Sequence, residues 1–245
     1  MKLVPKVSVL LPLLVVLSPP VLAGPIVFSQ SSIDVPGLPT QTFVFGSTSM
    51  DVVADPRAFS RKTVGTGANV STGVGIAGGN VDGEIDPNGA GGAISESISF
   101  LWDDPVVIDS LNISFLYPSG EFGDVVNERA LISVLPVIGP EILYYLTATG
   151  ATTGTWTGGG LLSNVTLAQD GSPGPAGGGE WNVSGDLFGQ PIIALVLRSG
   201  SASPGASKKS DFSFVALEGS NVSVPEPSAL ALMFAAALTV LGLRR

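Results

Sequence analysis

Val107-Ile108-Asp109-Ser110-Leu111-Asn112-Ile113-Ser114-Phe115-Leu116-Tyr117 is the stretch on which the fold turns. Val107, Asp109, Leu111, Ile113, Phe115 and Tyr117 fall on one side of an extended chain, and Ile108, Ser110, Asn112, Ser114 and Leu116 on the other. A period of two is the spacing of a strand, because successive side chains leave a pleated backbone on opposite faces. The rhythm recurs upstream, where Ile94, Glu96, Ile98 and Phe100 oppose Ser95, Ser97 and Ser99. It recurs downstream as Leu161, Val165 and Leu167 against Asn164 and Thr166, and as Trp181, Val183 and Leu187 against Asn182, Ser184 and Asp186. Phe212 and Phe214 flank Ser213, and residues 42–45, 70–76, 130–134, 142–147 and 192–198 are further strand candidates.

Turn chemistry separates these runs: Val35-Pro36-Gly37-Leu38-Pro39, Asp86-Pro87-Asn88-Gly89, Pro118-Ser119-Gly120, Asp170-Gly171-Ser172-Pro173-Gly174-Pro175 and Ser203-Pro204-Gly205. No helix-length 3.6 pattern interrupts them. The expected fold is all-β, a two-sheet antiparallel β-sandwich over residues 24–223, with jelly-roll or Ig-like strand order left open. A β-helix is the weaker alternative, since no segment of 20 to 30 residues repeats.

The 245 residues include 32 Gly, 19 Pro, 11 Lys plus Arg and 20 Asp plus Glu, for a formal charge of -9, and neither His nor Cys. That inventory excludes a Ser-His-Asp or Cys-His enzyme, disulfides and the usual zinc ligands. The basic groupings, Arg57/Arg61/Lys62, Lys208/Lys209 and Arg244/Arg245, are too sparse for phosphate tracking, so no nucleic-acid partner is expected.

The two ends differ from the body. Lys2 and Lys6 precede an apolar run, then Pro19, Pro20 and Val21-Leu22-Ala23-Gly24, the layout of a signal peptide over residues 1–23 cleaved between Ala23 and Gly24. At the other end Val224-Pro225-Glu226-Pro227-Ser228 precedes a nearly uninterrupted apolar stretch, residues 229–243, and then Arg244-Arg245. As a helix this stretch spans ~22 Å, short against a ~30 Å hydrocarbon core, and its basic end favours a cytoplasmic C-terminus.

Residues 224–245 resemble the PEP-CTERM sorting signal of Gram-negative bacteria. The resemblance implies Pro225, Glu226 and Pro227 as the recognition element, a transmembrane sorting helix over residues 229–243, and Arg244 with Arg245 as the stop signal. It also implies, as partners, signal peptidase and Sec-type export machinery, then exosortase, by way of an inner-membrane intermediate. The destination would be the cell surface or the extracellular polysaccharide matrix. Residues 65–100 look, less specifically, like bodies that precede such signals.

Within the body, Asp82-Gly83-Glu84-Ile85-Asp86 places carboxylates at every second position, as at the start of a calcium loop. Pro87 stands where an EF-hand needs Gly, and Ala93 where it needs its last Glu, so an EF-hand is excluded. A different calcium site remains, built from Asp82, Glu84, Asp86 and Asn88, with Glu96 able to add oxygens. If the strands beginning near Ala93 and Val106 pair antiparallel, Tyr117 lies at the same end, and Asp124 and Glu128 would join the site. Trp156, amid Gly154-Thr155-Trp156-Thr157-Gly158, is the candidate carbohydrate-binding residue. Trp181 is expected in the core, and Trp102 at a sheet edge. Five Asn-x-Ser/Thr triplets, at Asn69, Asn112, Asn164, Asn182 and Asn221, are read as strand patterning rather than glycan acceptors.

These features together predict a noncatalytic exported protein with a structural or adhesive role. The alternatives are a carbohydrate-binding module and a two-carboxylate glycoside hydrolase.

Overall fold

A computed structural model of the chain describes residues 24–66, 69–78, 81–87, 95–121, 125–166, 179–200 and 210–222. Strands dominate, as the alternation requires: β1 (Pro25–Ser29), β2 (Thr40–Phe45), β3 (Thr48–Asp55), β4 (Phe59–Thr66), β5 (Asn69–Ile76), β6 (Ser97–Ser114) and β7 (Arg129–Pro136). They continue as β8 (Ile142–Ala148), β9 (Gly154–Trp156), β10 (Leu161–Asn164), β11 (Trp181–Ser184), β12 (Ile192–Ser199) and β13 (Ser213–Asn221). Among the described residues the only helical element is a 3-10 turn at Gln30–Ser32.

The expected two-sheet sandwich is corrected, because among the described residues the strands form one hydrogen-bonded sheet of 13. Its main path runs β4-β5-β13-β6-β12-β7-β8-β9; β1 joins β13, the β2–β3 hairpin joins β6 through β3, and β10 joins it through β11. All pairings are antiparallel. The cause is β6. Asp103-Asp104-Pro105 reads as a strand terminator, yet the strand runs through it for 18 residues. Side chains and a neighbouring amide replace the lost ladder there: Ser49 Oγ donates to Asp103, the Asp104 N–H donates to Thr48 Oγ1 at 3.3 Å, and the Val222 N–H donates to Pro105 O at 2.9 Å. The first part of β6 thus pairs with β3 and β12, and the second with β13 and β11.

One apolar core serves both parts. Phe28, Phe100 and Phe214 meet at ring-centroid distances of 5.9 Å (Phe28–Phe214) and 4.9 Å (Phe100–Phe214), with Trp102 stacked on Phe100 at 6.3 Å. Trp102 is therefore a core residue rather than an edge one. Trp181 is buried, as its phase with Val183 and Leu187 predicts, and its indole N–H donates to Leu116 O at 2.9 Å.

Among the described residues no helix is long and apolar enough to cross a membrane. The PEP-CTERM assignment is corrected accordingly, and with it the transmembrane sorting helix, the exosortase and Sec-type partners, the inner-membrane intermediate and the surface or matrix destination. Every helix-forming residue that reading required, together with Pro225, Glu226, Pro227, Arg244, Arg245 and the cleavage residue Ala23, lies outside the described residues; Gly24 is the first residue inside them.

Candidate functional site: buried carboxyl groups around Tyr117

After β5 the chain turns at Ala77-Gly78 and comes back along the same strand. The Ile76 N–H donates to Glu84 O at 2.9 Å and the Gly83 N–H to Ile76 O at 3.2 Å. On its far side the returning segment is tied to the chain entering β13, by the Ile85 N–H to Phe212 O at 2.7 Å and by Ser213 Oγ to Gly83 O at 2.5 Å. Gly75 makes this possible: a Cβ there would collide with the Glu84 backbone. Laying an acidic segment between two strands sinks Glu84 and Asp86 into the protein, at 2% and 0% exposure, beside Glu96 at 0%.

Each carboxyl group has a defined job. Asp82, exposed, accepts the Gly78 N–H, and Asp86 accepts the Val81 N–H at 3.3 Å. Glu96 Oε2 accepts the Asp86 N–H at 2.9 Å while Asp86 O accepts the Glu96 N–H at 3.0 Å. Glu84 pairs with Lys62 at 2.5 Å, and that ammonium also lies 4.6 Å from the centre of the Phe115 ring. Glu128, 1% exposed, accepts the Tyr117 N–H at 2.5 Å, and the Glu128 N–H returns to Tyr117 O at 3.0 Å.

Burial raises the Glu84 carboxyl to about 8; Asp211 and Asp86 push the same way, and Lys62 opposes them. Glu96 is raised to about 7, again chiefly by burial, with Asp86 and Asp82 adding to it and the Asp86 amide and Arg57 resisting. The Tyr117 hydroxyl is pushed above its ordinary range by burial and then by Glu84, Glu128, Asp211 and Glu121.

Of the residues expected to hold calcium, Asp82, Glu84 and Asp86 share one segment, and Glu84 and Glu128 both act on Tyr117. They arrive there by another route than strand pairing, since residues 97–114 are one continuous strand. Asn88 and Asp124 lie outside the described residues. Among the described residues no group of three or more Asp or Glu is placed to hold a metal ion as it stands. Asp211, Lys62 and Arg57 were not legible as members of this cluster. Lys62 sits within β4 opposite Gly73, a pairing that only the sheet register reveals.

The other candidates also have defined contacts within the fold. Trp156 stacks on Tyr144 at 5.5 Å, meets Phe188 at 6.5 Å, and donates its indole N–H to Gly159 O at 2.6 Å. The side chains of Asn112, Asn164, Asn182 and Asn221 are hydrogen-bonded within the fold, in keeping with the patterning explanation of their triplets. A hollow of about 270 Å³ is lined, among the described residues, by Pro105, Val137, Ile138, Gln190, Pro191 and Val222, none of them ionisable.

No protein-family model, curated protein or solved structure matches the chain.

Proposed function

We propose that the described domain is a noncatalytic structural module whose buried carboxyl groups hold the bases of its loops. What supports this is a repeated device. Glu96 with Asp86, and Glu128 with Tyr117, each form a reciprocal pair of hydrogen bonds that closes the chain segment between them. A carboxyl group fastened to backbone amides is a brace rather than a free acid or base. A two-carboxylate hydrolase needs its acids ~5 to 9.5 Å apart across an open cleft, with room for a sugar. Raised carboxyl pKa values also occur in such enzymes, so the decisive experiment is hydrolysis of a broad glycoside panel by the full chain. The module reading expects no turnover; turnover lost in both Glu84→Gln and Glu96→Gln would overturn it.

A further inference from the structure

We propose that Asp82, Asp86 and Glu96 form a seat for a divalent cation of the calcium class. The proposal rests on the noncatalytic reading of the same cluster and adds its ligand. The observation that directs it is Glu96 itself. The residue is fully buried, one carboxyl oxygen is fixed by the Asp86 N–H, and the other, Oε1, is buried without a hydrogen-bond partner among the described residues. An ionised oxygen withdrawn from water and left without a donor is costly, and a bound cation is one way to satisfy it.

Charge points the same way. The ionised groups acting on Glu96 are Asp86, Arg57 and Asp82. With Glu96 ionised, three carboxylates stand against one guanidinium, an excess of two negative charges that a divalent cation would neutralise. Arg57 is itself anchored, its Nη1 donating to Ala77 O at 3.2 Å and to Gly78 O, so it braces the rim of the loop. Asp82 is the exposed member and accepts the Gly78 N–H, so binding would draw it inward to complete the oxygen set. Calcium tolerates irregular shells of carboxylate, carbonyl and water oxygens, whereas magnesium demands a near-ideal octahedron. A seat that closes only when a side chain swings in favours calcium.

The test uses the full chain in chelator-treated buffer near neutral pH, melted with millimolar calcium, with magnesium, or with sodium chloride at matched ionic strength. Calcium should raise the melting temperature by ~3 °C or more, and magnesium by less. Terbium emission sensitised by the protein's aromatic residues should appear and be displaced by calcium. Glu96→Gln, which keeps an acceptor for the Asp86 N–H, should remain folded and lose both responses; Asp82→Asn, at an exposed position, should weaken them. A calcium response no larger than that to sodium, or one retained in Glu96→Gln, would overturn the seat. Glycoside turnover would overturn the noncatalytic reading whatever calcium does; a flat calcium response without turnover would overturn the seat alone.

Discussion

Asp86 and Glu96 are hydrogen-bonded to each other twice, backbone amide to carboxylate at 2.9 Å and amide to carbonyl at 3.0 Å. Removing the carboxylate leaves a buried N–H without an acceptor, which costs ~1–3 kcal/mol. Glu96→Ala should therefore destabilise the domain by about 2 kcal/mol in urea unfolding. Glu96→Gln, which keeps an acceptor and removes a buried charge, should lie within ~1 kcal/mol of wild type.

Stability should fall as pH rises. Glu84 and Glu96 move from 4.5 to about 8 and about 7 on folding, chiefly through burial. Between the unfolded and folded values the native state holds more protons than the unfolded one, so the stabilisation is complete below about 4.5 and is lost through the 7 to 8 range. Melting temperatures in chelator-containing buffer should decline from pH 5 to pH 8.5, and Glu96→Gln should flatten part of that decline. A melting temperature that rises over the same interval would contradict the assignment of these two groups.

Gly75 is where two backbones touch. Gly75→Ala would force a Cβ into the Glu84 backbone, which cannot yield without lifting residues 81–86 off β5. The expected cost is ~1–3 kcal/mol by chemical denaturation. Amide exchange at Ile76 and Ile85, whose N–H groups carry the attachment, should speed up with it.

Trp156 should matter to stability. Trp156→Ala removes a stacked partner of Tyr144, an edge contact with Phe188 and a hydrogen bond to Gly159, for an expected loss of about 2 kcal/mol. Trp156→Phe keeps the ring packing and should lose ~1 kcal/mol, the share of the indole N–H. Unfolding of both variants followed by circular dichroism would separate these terms.

The period-two rhythm made the all-β character legible, and Trp181 with Val183 and Leu187 fell on the buried face it predicts. Parity failed at Asp109. The buried side of β6 carries Ile98, Phe100, Trp102, Val106 and Ile108, then switches to Leu111 and Ile113. The register with β13 slips at that point, with Glu218 opposite Ser110 and Gly219 opposite Ile108, so a bulge absorbs Asp109 and resets the alternation. Gly219 is the partner because a Cβ there would strike Val107 O. No one-dimensional pattern announces such a slip. The same limit hid β3, whose inward residues Thr48, Met50, Val52 and Ala54 are too mixed to form an apolar stripe, and β4, whose Arg61 and Lys62 read as surface charge. At the carboxyl cluster the spacing of Asp82, Glu84 and Asp86 was visible. Their burial was not, because it depends on Gly75 and on the approach of Phe212 from the far end of the chain.

The central position of β6 has a cost during synthesis. When Ser114 leaves the ribosome, only β3 among its four partners has been made; β11 and β12 come later, and β13 begins about a hundred residues downstream. At translation speeds of ~5–20 residues per second that is a wait of roughly 5–20 s. For that interval the longest strand of the protein has open edges, and a nascent chain in that state invites pairing with its neighbours on the same message.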